Sequence, residues 1–148
     1  MSGQKQISVA VIEDHDLLRD GLSEFLEHLG IHVSMKAKNG QVALEQMERA
    51  ESLPDVCITD VNMPVLDGFG TAKAIRERFP ELKVLGYSMN NEAEIIIEML
   101  RSGANGYVIK GGSIDELKQA IETVHKEGVY LGQSSGKVLL DYLRKGRR

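Results

Sequence analysis

Short apolar runs alternate along this chain with longer segments of helical period, and no other feature restricts the fold so strongly. Ile7–Ile12, Val56–Thr59, Val84–Tyr87 and Tyr107–Ile109 are mostly apolar and too short for stable helices. Strands covered on both faces read this way. Between them lie segments with one apolar face. The first helix starts near Asp16, places Leu18, Leu22, Phe25 and Leu29 on one side, and closes at Gly30. Further helices are predicted over Gln41–Ala50, from Asp67-Gly68 to about Arg78, and from a capping-box-like Asn91–Glu94 to Gly103. A last one opens on Ser113–Glu116, with Ile114, Leu117, Ile121 and Val124 as its stripe, and ends at Gly128. Val33, Met35 and Ala37 alternate with His32, Ser34, Lys36 and Lys38, the pattern of a half-exposed edge strand.

The order is therefore (βα)5, an α/β chain with a doubly wound parallel sheet. An edge position for the second strand fits the flavodoxin-like strand order 2-1-3-4-5. Residues 128–148 fall outside the five units and are read as a linker and tail. In it Gly132–Gly136 forms a flexible approach to a short amphipathic C-terminal helix through Val138, Leu139, Tyr142 and Leu143.

The chain has 148 residues, 42% hydrophobic and 27% charged, which supports one domain with an ordinary core. No apolar run approaches the roughly 18 residues of a membrane span, so no membrane association is expected. The N-terminal residues lack a secretory pattern, and the single Cys57 excludes an internal disulfide; both point to a cytoplasmic protein. Net charge is −4, unevenly spread: residues 137–148 carry five basic residues against Asp141, which leaves −8 on the rest. An acidic body argues against direct DNA binding, and a basic helix end is weak support for it.

The strand-like runs end in polar residues. Glu13-Asp14, Asp60, Ser88 and Lys110 each follow one of them. In an open parallel sheet these ends lie side by side, which is where ligands bind. Three converging carboxylates repel, and a hard divalent cation relieves the repulsion; Mg2+ suits such oxygen ligands. Taken singly, Glu13-Asp14 reads equally well as helix capping, Asp60 as a cap, Ser88 as a turn hydroxyl and Lys110 as a surface ammonium. Their recurrence at several strand ends favours a shared pocket. His15, His28, His32 and His125 lack ligand spacing, and His15 reads as a helix-start residue.

Glu13-Asp14-His15, Asp60-Val-Asn-Met-Pro64, Asp67-Gly68, Ser88-Met89, Gly103-Ala-Asn-Gly-Tyr107 and Lys110 together resemble the receiver domain of bacterial two-component response regulators. The resemblance covers about residues 5–127, which places a receiver domain over 1–127, and is nearest to the NarL/FixJ-type branch. It implies a CheY-like fold with Asp60 as phospho-acceptor. Glu13, Asp14, Asp60 and the backbone carbonyl of Asn62 would hold Mg2+, with Mn2+ as an alternative. Lys110 would pair with the phosphoryl oxygens, Ser88 would bind the phosphoryl group, and Tyr107 would turn inward with it. Asn62, Met89 and Asn90 sit where the family tunes dephosphorylation. A sensor histidine kinase would be the donor, transcription the output, and a homodimer one mode of assembly. Such a module catalyses only its own phosphorylation and dephosphorylation.

Two positions depart from the common pattern. Gly111 follows Lys110 where many receivers have proline, which leaves the geometry of that peptide open. Met89 stands where many have Ala or Gly; it either narrows access to the pocket or simply packs. Other readings are a haloacid-dehalogenase-like phosphatase, which would want an aspartate at Asn62, and a DNA-binding regulator, for which residues 128–148 are too short. Full members of the branch usually carry a C-terminal helix-turn-helix domain, so the chain reads as a stand-alone receiver or as receiver plus linker.

Overall fold

Val9, Val11, Val56 and Ile58 are β-branched, suit a pleated strand, and are almost fully buried. They belong to the middle of a parallel sheet in this computed structural model, which describes residues 6–145. The strands are β1 (Ser8–Ile12), β2 (His32–Ala37), β3 (Val56–Thr59), β4 (Lys83–Ser88), β5 (Gly106–Ile109) and β6 (Tyr130–Leu131). The helices are α1 (Asp16–His28), α2 (Gly40–Arg49), α3 (Gly68–Arg78), α4 (Ala93–Ser102), α5 (Ile114–Glu127) and α6 (Gln133–Lys145). All strand pairs are parallel, in the order β2-β1-β3-β4-β5-β6. The α/β class, the order 2-1-3-4-5 and the half-exposed edge strand are as the sequence predicts.

One core joins Val9, Val11, Val56 and Ile58 to Leu26 of α1 and to Leu117, Ile121 and Val124 of α5. The opposite face carries Ala10, Ile12, Cys57 and Val84 against Leu44, Met47, Ala72 and Ile75 of α2 and α3. A smaller cluster of Val61, Ile96, Met99 and Tyr107 lies under α4 and receives Val138 and Leu139 of α6. Each large side chain buried in these layers contributes about 1.5–3 kcal/mol of transfer free energy.

Three local expectations are corrected. First, α1 is rolled about its axis relative to the predicted stripe: Leu18 and Phe25 are 54% and 47% exposed, while Ser23 and Leu26 are buried. Two hydrogen bonds satisfy the polar residues that the roll turns inward. The Arg19 guanidinium donates to the Glu13 carbonyl at 2.8 Å, and the Ser23 hydroxyl donates to the Arg19 carbonyl at 2.7 Å. The inward face is thus Arg19, Leu22, Ser23 and Leu26, an i, i+3, i+4, i+7 set that two polar members conceal. Second, α4 begins after Glu92 with no side-chain cap, so Asn91 does not open it as a capping box. On α5 only half of the predicted box forms: Ser113 accepts from the Asp115 N–H, while Glu116 reaches the Tyr130 hydroxyl instead.

Third, the segment after Gly128 is built into the fold. Tyr130–Leu131 pairs with β5 as a sixth strand, and Gln133–Lys145 is helical, so Gly132–Gly136 is a strand-to-helix turn and first helical turn, not a flexible approach. The Ser135 hydroxyl, 1% exposed as a residue, anchors the helix by donating to the Tyr107 carbonyl at 2.8 Å. Of the basic tail, Arg147 and Arg148 lie outside the described residues.

Candidate functional site

The strand register brings the polar strand ends together. Ile12 pairs with Thr59, Thr59 with Gly86, and Ser88 with Ile109, so Glu13, Asp60, Ser88 and Lys110 emerge at one edge of the sheet. Backbone hydrogen bonds carry the alignment one residue further: the Asp60 N–H donates to Ile12 O at 3.2 Å and the Lys110 N–H to Ser88 O at 2.8 Å.

Carboxylate oxygens of Glu13, Asp14 and Asp60 lie within 4.8 Å of one another. At that separation two unit charges repel by about 3–4 kcal/mol for an effective dielectric constant of about 20. Lys110 relieves part of this, donating to Glu13 Oε1 at 2.9 Å and to Asp60 Oδ2 at 3.3 Å. Asp14 is exposed and makes no ion pair among the described residues. The pocket therefore keeps an excess of two negative charges. Its donors are hard oxygens, and the set fits a small divalent cation such as Mg2+.

Each member is fixed by its neighbours. Glu13 is buried, and its Oε2 accepts the His15 N–H at 3.1 Å while its carbonyl accepts from Arg19. Asp60 Oδ1 accepts the Val61 N–H at 2.7 Å, which leaves Oδ2 toward Lys110. Lys110 is partly buried and stacks its Nζ 5.4 Å from the centre of the Tyr87 ring. Burial opposes its charge, but the hydrogen bond to Glu13 and the charges of Asp60 and Glu13 outweigh that and hold its pKa above the usual lysine value. The ammonium is thus a permanent fixture of the pocket.

Ser88 and Tyr107 form the flank. The Ser88 oxygen accepts from the Asn90 backbone N–H at 3.2 Å and from Asn90 Nδ2 at 3.0 Å. The Tyr107 hydroxyl donates to Asn90 O at 2.9 Å. Tyr107 is fully buried, with its ring turned inward. Burial pushes its phenol up to about 12, the Ser88 hydroxyl offsetting part of this and the Asp60 charge adding to it. Met89 is 71% exposed, so it does not pack. Asn62 is exposed in the loop after β3. The Lys110–Gly111 peptide is trans, and Gly111 takes φ +104°, a conformation that glycine tolerates best. His15 is the N-cap of α1, its Nδ1 accepting the Leu18 N–H at 3.3 Å, as its position predicts.

Glu13, Asp14, Asp60, Ser88, Asn90, Tyr107 and Lys110, all expected from their positions in the sequence, meet in this region. Arg19, Tyr87 and Ser135 join them with no such expectation. The i+6 spacing of Arg19 from Glu13 was the available signal for the first, since a helix starting at Asp16 turns Arg19 back over the strand end. Tyr87 immediately precedes Ser88 and so falls on the opposite face of β4.

Residues 9–122 match the family described as response regulator receiver domain. The chain is 35% identical over 126 residues to the transcriptional regulatory protein LnrK of Bacillus subtilis (strain 168), covering 84% of this chain and 56% of that protein. It is 31% identical over 149 aligned residues to the nitrate/nitrite response regulator protein NarL of Escherichia coli (strain K12), covering 99% and 68%. Among solved structures, the signal receiver domain of the putative response regulator NarL from Mycobacterium tuberculosis superposes with a TM-score of 0.77 at 31% identity, covering 84% of this chain and 99% of that one. The chain thus spans 56% of the LnrK relative's length and 68% of the NarL relative's.

Proposed function

The chain belongs to the response regulator receiver domain family, and from that premise we propose that Asp60 is the residue that accepts the phosphoryl group. The supporting observation is the pocket itself: three carboxylates drawn together, with Lys110 bridging Glu13 and Asp60. Mg2+, or Mn2+ in its place, would be held by Glu13, Asp14, Asp60 and the carbonyl of Asn62. When bound, it supplies the charge neutralisation that the transferring phosphoryl oxygens need.

The chain's own residues divide the remaining work. A carboxylate oxygen of Asp60 forms the new O–P bond as the P–N bond of a kinase phosphohistidine, or the P–O bond of a small donor, breaks. The Val61 N–H and Lys110 hold that carboxylate in one orientation, and the Lys110 ammonium stands ready for the equatorial oxygens. The Ser88 oxygen accepts twice from Asn90, and its rotatable hydroxyl proton would donate to the phosphoryl group. Asn62 follows Asp60 by two residues, Met89 and Asn90 directly follow Ser88, and all three would set how fast water removes the group. The exposed Met89 side chain favours a role in access over one in packing.

The donor would be a sensor histidine kinase and the setting the cytoplasm; among the described residues no helix is long and apolar enough to cross a membrane. The module would catalyse only its own phosphorylation and dephosphorylation. Residues 1–127 would be the receiver and 128–148 the connection to an output, with transcription as the process controlled, DNA contacts made outside this chain, and a homodimer as one assembled form. Beryllofluoride, a phosphoryl analogue, tests the acceptor. The parent chain should show a bound 19F signal only with Mg2+, and Asp60→Asn should show none. Equal binding by Asp60→Asn, or none by the parent, contradicts the assignment.

A further inference from the structure

The smaller hydrophobic cluster joins three elements that function separately in the reading above. Val61 follows Asp60, Tyr107 is the buried aromatic of the flank, and Val138 and Leu139 belong to α6. A polar chain runs beside this apolar contact. Asn90 donates to the Ser88 oxygen, Tyr107 Oη donates to the Asn90 carbonyl, and Ser135 donates to the Tyr107 carbonyl. The series begins at Ser88, the hydroxyl assigned above to the phosphoryl group, and ends on a helix beyond the receiver-like repeat. Its links run through the covalent frames of Asn90 and Tyr107, so a shift at one end is passed on as a change in position.

The fold makes α6 the roof of this arrangement. α6 packs against α4 and β5. Tyr107 is a fully buried member of the cluster against which Val138 and Leu139 of α6 pack, so repositioning its ring disturbs the packing on which α6 rests. Behind the ring, a Cβ on Gly86 would stand 2.9 Å from Tyr107 Cδ2, so glycine at 86 leaves the ring the room it occupies. Docked α6 and inward Tyr107 are thus two aspects of one packing.

We propose that α6 is a docked latch on the α4–β5 face, held more tightly when Asp60 carries a phosphoryl group and loosened when it does not. The proposal rests on Asp60 being the acceptor. Donation from Ser88 to the phosphoryl group strengthens the acceptor character that Asn90 uses, fixes the Asn90 carbonyl for Tyr107, and keeps the ring under α6. The coupling is reciprocal: whatever detaches α6 weakens the phosphorylated arrangement by the same factor. The outer side of α6 presents Leu140 and Leu143, so its docking state sets how a segment following it is presented.

Hydrogen exchange on the whole chain, with and without Mg2+ and beryllofluoride, reads the latch directly. Amides of residues 136–145 should exchange about fivefold or more slowly with the analogue bound, the lower end of ordinary coupling strengths. Ser135→Ala should speed their exchange about threefold to tenfold without the analogue, as loss of one hydrogen bond predicts, while β1 and β3 stay protected. Val138→Ser combined with Leu139→Ser, which removes the apolar anchor but leaves the sheet intact, should bind the analogue about fivefold more weakly. If the analogue binds and α6 exchanges at the same rate or faster, or if the double variant binds it as tightly as the parent, the latch is refuted while the acceptor assignment stands. If the parent binds no analogue, the acceptor assignment fails and the latch falls with it.

Discussion

A single methyl group on Gly68 should disable the pocket without touching any of its charged groups. Gly68 opens α3, and its N–H donates to Val61 O at 2.7 Å, which ties the helix start to the strand end that carries Asp60. A Cβ there would stand 2.8 Å from Val61 Cα and closer still to the Asp60 carbonyl oxygen, both backbone atoms that no side-chain rotation can clear. Ordinary contact begins at 3.4 Å, so helix and strand end must separate by about 0.6 Å or more. Overpacking of this kind costs about 1–3 kcal/mol. For a chain of this length that lowers the melting temperature by about 3–10 °C. Because the displaced peptide carries the nucleophile, and misplacement by about 1 Å costs on the order of a hundredfold in rate, phosphoryl uptake should fall by about tenfold to a hundredfold. Thermal unfolding and the Mg2+-dependent rate with acetyl phosphate measure the two effects on one sample. Gly68→Ala melting within about 1 °C of the parent would refute the packing argument, and normal uptake by a destabilised variant would refute the link between α3 and Asp60.

Other substitutions have the opposite sign or probe other layers. Gly136→Ala should stabilise by about 0.5–1 kcal/mol in denaturant unfolding, because a Cβ there meets nothing within 4 Å and the residue is helical; destabilisation would contradict the helical start of α6. Cys57 is fully buried and its thiol is pushed up to about 12 by burial, so a thiol reagent should label it only at the rate of global unfolding. The raised pKa of Lys110 contributes stability that is fully present below the unfolded lysine value of 10.5 and is lost as pH climbs through the higher folded value. The raised phenol of Tyr107 acts with the same sign, so the isolating measurement is the stability difference between the parent and Lys110→Met, which should shrink as pH rises above that value.

The sheet order and the pocket were legible because their signals are local: doubly covered strands are apolar runs, and ligand-bearing strand ends are the polar residues that stop them. The roll of α1 was not legible, because Arg19 and Ser23 occupy inward positions as polar residues satisfied by the Glu13 and Arg19 carbonyls. One bond runs from α1 to the end of β1 and the other closes within α1, and neither is visible to a periodicity of apolar residues. The end of the chain was misread for a related reason. Tyr130–Leu131 is only a two-residue strand, and Gly132 and Gly136 look like breakers. Gly132 instead lies under the Glu116 carboxylate, which a Cβ there would push aside. The inward Tyr107 depends on an absent side chain at Gly86 and on a helix thirty residues downstream, a conjunction that no short window of sequence displays.

The central claim is that Asp60, and no other carboxylate of the pocket, takes the phosphoryl group. Intact-mass measurement after incubation with Mg2+ and either acetyl phosphate or a phosphorylated histidine kinase tests it. The parent chain should carry one phosphoryl group, dependent on Mg2+ and labile as an acyl phosphate, and Asp60→Asn should carry none. No mass shift with either donor, or an undiminished shift in Asp60→Asn, would contradict it.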